Sequence, residues 1–76
     1  MHISLKALAD KWPSPYVARE EVGPFSGGIL SPKSLANLDA MGKGPRGRFR
    51  CGRKVVYPVS SLVEFCESRS QALDKD

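Results

Sequence analysis

The sequence predicts a small α+β domain in which short helices pack on a two-stranded β-hairpin. Helix start signals and helical apolar spacing recur in four stretches, and the period switches once, over 48–57, to strand-like alternation. A chain of 76 residues has room for one core only, and a small domain leaves much of its surface exposed. That core must recruit nearly all the large apolar residues, namely Trp12, Tyr16, Phe25, Leu35, Leu38, Phe49, Tyr57, Leu62 and Phe65. So little material argues against a deep substrate cavity.

The first element is expected within residues 4–12. Leu5, Leu8, Ala9 and Trp12 form one apolar stripe there, with Ser4 as candidate N-cap and Pro13 as the stop. The reading divides the chain into this N-terminal helix over 1–13, a main unit over 14–69 and a polar tail over 70–76 that is expected to fray. Ser14-Pro15 is a helix start signal, since serine caps free N–H groups and proline suits the first helical position. A helix of about two turns is expected from there through Val22, stopped by Gly23-Pro24, with a loop over 24–30. Ser31-Pro32 repeats the signal. The helix it opens has Leu35 and Leu38 inside, extended by Met41, and Gly42 placed to close it in a left-handed conformation. Two short helices with a glycine-containing connection are the outline of a helix-turn-helix.

Beyond Lys43-Gly44-Pro45 a β-hairpin is expected, and two registers are open. A turn of Gly52 and Arg53 alone pairs Arg50 with Val55 and sets the two apolar sets on opposite faces. A turn over 52–54 pairs Cys51 with Val55 and Phe49 with Tyr57, gathering one apolar face and leaving Arg48 and Arg50 outside; this second register is the expected one. Pro58 ends the hairpin. Ser61 with Glu64 forms a candidate capping box, Ser60 being an alternative cap, and Leu62, Phe65 and Cys66 share the inner face of the last helix.

The net charge of +4 is unevenly spread: Lys43, Arg46, Arg48, Arg50, Arg53 and Lys54 fall in a stretch without a single acid, while the rest of the chain is slightly acidic. A concentrated positive field attracts polyanions and speeds their capture, which points to phosphate backbone. A solvated edge strand explains one or two such charges, because cations keep sheet edges from pairing. It explains six poorly. No apolar run approaches the ~20 residues that span a bilayer and no signal-peptide pattern is present, so a cytoplasmic location without membrane contact is expected.

Cys51 and Cys66 are expected to be reduced and packed inside, with one disulfide as the alternative. His2 is the only histidine and CxxC spacing is absent, so no metal site is expected. Ser14, Ser31, Cys51 and Cys66 lack a second histidine to pair with, and Asp10, Glu20, Glu21, Asp39, Glu64 and Glu67 show no spacing that demands a paired active site. The reading is therefore of a protein that is not an enzyme, with no catalytic residues, cofactor or small-molecule substrate.

The run from Leu30-Ser31-Pro32 through Gly42-Lys43-Gly44-Pro45, then Gly52-Arg53-Lys54-Val55-Val56-Tyr57 and Ser61-Leu62-Val63-Glu64-Phe65, resembles the excisionase-type, MerR-like helix-turn-helix family. The likeness covers about residues 14 to 67. It departs from the family pattern where 24–28 lengthens the connection between helices, which bears on their angle, and where Leu38 stands in place of a common aromatic. The resemblance implies a winged helix-turn-helix that binds double-stranded DNA, with its second helix in the major groove and its hairpin wing over phosphates or in the minor groove. It further implies an excisionase or recombination directionality factor, of phage or prophage origin, or a small transcription regulator, whose partners would be a recombinase or neighbouring copies on DNA.

On the second helix Lys33, Ser34, Ala36 and Asn37 are left outside. Lys33 can reach phosphate or guanine and the Asn37 amide can pair with adenine, the bland alternative being ordinary solvated surface. Asp39 would repel phosphate and is expected to point away from DNA. Phe49 and Tyr57 as stacking platforms would suit structured or single-stranded RNA instead, and an exposed last helix would suit a protein partner. Core positions are expected for these rings and for Trp12.

Overall fold

The computed structural model describes residues 3–71 and 73, in which four α-helices pack on one three-stranded antiparallel sheet. The α+β class is the expected one, but the sheet has a strand more than the hairpin supplies. Helix α1 (Lys6–Lys11) lays Leu5, Leu8, Ala9 and Trp12 against the core. Ser4 does not cap it. Instead the Leu5 N–H donates to Glu67 Oε2 at 2.7 Å, from the helix α4 (Val59–Ser68) on which α1 packs. Trp12 meets Phe25 edge-on at 5.4 Å and its indole N–H donates to the Tyr16 carbonyl at 3.0 Å.

The segment expected as a helix over 14–22 opens as a strand. Ser14 Oγ accepts from the Tyr16 N–H at 3.1 Å, the kind of bond a helix cap makes. The chain nevertheless extends into β1 (Tyr16–Ala18), which pairs antiparallel with β3 (Lys54–Pro58) and sets Val17 opposite Tyr57. Both side chains are fully buried, and that burial outweighs an isolated helix of two turns, which is marginal in water. A 3-10 turn, Arg19–Glu21, then leads into α2 (Val22–Ser26). Gly23 and Pro24 do not stop a helix but lie in the first turn of this one, where N–H groups have no intrahelical acceptor and proline is tolerated. The expected loop over 24–30 thus shrinks to a turn over 27–31, in which Gly27 and Gly28 take φ of 67° and 90°. The buried Ser26 hydroxyl ties this turn, donating to the Val22 carbonyl at 2.7 Å and accepting from the Leu30 N–H at 2.9 Å.

Helix α3 (Pro32–Ala40) forms as its signals require. Ser31 Oγ accepts from the Ser34 N–H at 3.2 Å and Pro32 holds the first position. At the other end Gly42 is left-handed, the Gly42 N–H reaches the Asp39 carbonyl at 3.0 Å and the Lys43 N–H reaches the Leu38 carbonyl at 2.8 Å. This pair of bonds satisfies carbonyls that a helix end otherwise leaves open.

The hairpin adopts the register of the two-residue turn, not the expected one. Strand β2 (Phe49–Cys51) pairs Phe49 with Val56, Arg50 with Val55 and Cys51 with Lys54, around a turn of Gly52 and Arg53. The expectation assumed a lone hairpin with one buried face. In the strand order β1-β3-β2, β3 is central and its apolar residues serve both faces. Tyr57 points into the core with Val17, whereas Val56 shares the outer face with Tyr16 and Phe49, whose rings meet edge-on at 5.5 Å. Tyr16 and Phe49 remain 49% and 43% exposed, so neither joins the core. For the same reason Cys51 is exposed rather than buried, while Cys66 is buried and burial pushes its thiol pKa up; both are free thiols.

Helix α4 begins directly after Pro58 without a side-chain cap, so the capping box of Ser61 and Glu64, and Ser60 as its substitute, are not formed. The Val59 N–H donates instead to the Pro15 carbonyl at 2.8 Å, stitching α4 to the start of β1. Leu62 and Cys66 complete a core shared with Val17, Val22, Phe25, Leu35 and Tyr57. Most of the tail expected over 70–76 lies outside the described residues. Among the described residues no helix is long and apolar enough to cross a membrane.

Candidate functional site

Helix α3 is fixed to the domain by Leu35 and Asp39, both buried, with Leu38 half-buried beside them. At 100° per residue this places Pro32, Ala36 and Ala40 along one margin of the buried stripe, facing the hairpin. Lys33 and Asn37 follow next around the helix and are exposed; Ser34, also exposed, lies nearer the opposite margin. Lys33 and Asn37 are therefore the exposed residues next around α3 from the margin that faces the hairpin, and neither lines a groove there.

Asp39 is the hub of contacts between α3 and the sheet. Its Oδ2 accepts from the Tyr57 hydroxyl at 2.6 Å and from Arg19 Nη2 at 2.7 Å, while Arg19 Nε donates to the Tyr57 oxygen at 3.0 Å. Arg48 approaches the same residue more loosely, with Nη2 at 3.4 Å from the Asp39 carbonyl and Nε at 3.6 Å from Oδ1. Oδ1 is buried and accepts no hydrogen bond from the protein. Burial raises the Tyr57 pKa above its ordinary 10.0, with the hydrogen bond to Asp39 adding to it. The hydrogen bond to Tyr57 raises the Arg19 pKa above its ordinary value, against the opposing pull of burial. The phenol therefore stays neutral and the guanidinium charged. One carboxylate thus joins α3 to the central strand, to the 3-10 turn and to the residue before β2. Gly44 closes over it, and a Cβ at that position would stand 1.8 Å from Asp39 Oδ1.

The six cations of 43–54 divide into distinct groups. Arg48 is drawn to Asp39, and Lys54 forms an ion pair with Glu20. The stretch that lacks acids in sequence thus meets two of them in space. Arg50 and Arg53 are exposed, have no ion pair among the described residues, and line a groove of about 230 Å³ with Glu20, Pro32 and Lys54. Arg50 also lines a second groove, of about 390 Å³, with Arg48, Ala36 and Ala40. Arg46 lies elsewhere, beside Ser61, Glu64 and Phe65 of α4. Lys43 is exposed just past the end of α3 and lines neither groove.

Arg19, Glu20, Asp39 and Gly44 all shape this region and were not singled out as site residues from the sequence. The partners in the Asp39 hub lie 9 to 38 positions apart along the chain, and that of Glu20 lies 34 away. No local period carries such a signal. No cluster of His, Cys, Asp and Glu that could hold a metal ion occurs among the described residues. No family model, curated protein or solved structure matches the chain.

Proposed function

We propose that the chain binds double-stranded DNA as a winged helix-turn-helix protein, α2 and α3 forming the helix pair and β2–β3 the wing. The observation that carries this reading is the adjacency of two kinds of group, cations on the hairpin and exposed polar side chains on the neighbouring margin of α3. Arg50 and Arg53, without carboxylate partners among the described residues, line the groove between the hairpin and the start of α3, while Lys33 and Asn37 are exposed on α3, next around the helix from the groove-lining Pro32, Ala36 and Ala40. The small side chains of Ala36 and Ala40 between them leave room for a sugar–phosphate backbone. Arginines on a hairpin suit phosphate, which positions a protein without reading sequence, and an exposed amide on a helix suits a base edge.

Asp39 supports the same reading, although in a different way from that expected. It is kept from phosphate by burial, and its negative charge is spent on Arg19 and Arg48. The domain's small size fits a positioning protein, either a recombination directionality factor acting beside a recombinase and neighbouring copies, or a small transcription regulator.

The test begins with selection of a preferred site from random DNA duplexes. Asn37→Ala should then weaken binding to that site by about 1–3 kcal/mol and leave affinity for scrambled duplex unchanged. An equal loss on both would remove Asn37 from base reading. Tighter binding of the unmodified protein to duplex RNA or to single strands than to any DNA duplex would overturn the proposal as a whole.

A further inference from the structure

We infer that the groove between the hairpin tip and the start of α3 is a phosphate site with a built-in competitor, the carboxylate of Glu20. Glu20 is the one acid lining this groove, beside Arg50, Arg53 and Lys54, and it is ion-paired with Lys54. Its place there is fixed by its neighbour. Arg19 is clamped by Asp39 and Tyr57, which pins the 3-10 turn to the core and delivers the next side chain to the groove.

The pair is nevertheless loosely held. The side chains of Lys54 and Glu20 are 57% and 61% exposed, and an ion pair in that setting contributes little. A phosphate group that engages Arg50 and Arg53 arrives next to Lys54 and can exchange for Glu20, whose carboxylate returns to water at small cost. Asp39 cannot be displaced in this way, because its side chain is only 6% exposed and is bound by Tyr57 and Arg19. Glu20 therefore sets how much of the hairpin's charge a polyanion can use. As a statement about DNA this rests on the reading above; as a statement about anion capture it does not.

The experiment compares the unmodified protein with Glu20→Gln, Lys54→Ala, the double variant and Glu21→Gln, titrated with a random-sequence DNA duplex and with inorganic polyphosphate over a range of salt. Glu21 is exposed and adjacent but lines no part of the groove, so it reports the effect of surface charge alone. Glu20→Gln should tighten both probes by roughly threefold to fivefold at low salt. It should also steepen the duplex salt slope by up to about 0.9, as one more cation becomes available. Glu21→Gln should do much less, and the gain should vanish in the Lys54→Ala background. Equal gains from Glu20→Gln and Glu21→Gln, or a gain that survives loss of Lys54, would overturn the inference. A Lys54-dependent gain on polyphosphate with no duplex binding would uphold the groove and sink the DNA reading. Duplex binding with no gain on either probe would do the reverse, and failure to bind either probe would sink both.

Discussion

Asp39 and Glu20 each hold a cation of the hairpin, Asp39 from inside the domain and Glu20 from its surface. Around Asp39 the carboxylate is taken out of water, the phenol of Tyr57 fills one side, and the carboxylate joins α3, the sheet and the hairpin. Around Glu20 a carboxylate and the Lys54 ammonium meet in solvent, with both side chains more than half exposed. Burial decides what such a contact does. A buried carboxylate with hydrogen-bonded partners becomes part of the framework, since removing it strands charges that water no longer reaches. An exposed one only lends its charge, and can be exchanged. The root of the cleft is thus built to hold its shape and the tip to change partners.

The contrast is broken most severely at the root. Asp39→Ala should destabilise the domain by about 3 kcal/mol, measured by urea unfolding, because Arg19 and Tyr57 lose their shared acceptor. The figure sits at the low end for a buried pair since Arg19 keeps 28% of its side-chain exposure. A loss below about 1 kcal/mol would mean that Asp39 is no more a framework residue than Glu20. Gly44→Ala is a milder assault on the same place. The added methyl meets Asp39 Oδ1 unless one of them moves, and overpacking of this kind costs about 1–3 kcal/mol. Unaltered stability in Gly44→Ala would show that the loop over Asp39 yields freely, and that the hub does not fix the hairpin against α3.

How far these regions can be read from sequence follows the same division. Helix α3 was legible from end to end because its determinants are local: Ser31, Pro32 and Gly42 act on backbone groups within a few residues. The helix expected at Ser14-Pro15 failed because Ser14 makes an equally local bond in a turn, and the choice between them is made by Tyr57, far along the chain. The hairpin register failed because alternation reports one buried face, whereas a central strand with apolar residues on both sides obeys a different count. Exposure of Lys33, Ser34 and Asn37 was legible from the spacing of Leu35 and Leu38. The partition of the cations was not, since the acids that engage Arg48 and Lys54 come from outside the basic stretch.

At the tip the expected cost to folding is the smallest of all. Arg50→Ala and Arg53→Ala together remove exposed side chains without an ion pair among the described residues, so stability should stay within about 0.5 kcal/mol of the parent. The same double variant provides the decisive measurement, its affinity for duplex DNA as a function of salt. Each lost phosphate contact flattens the plot of log affinity against log salt by about 0.9, so the account predicts a loss of slope of up to about 1.8, with the preferred site still preferred. An unchanged slope in a variant shown by circular dichroism to be folded would contradict the claim that the open end of this cleft holds phosphate.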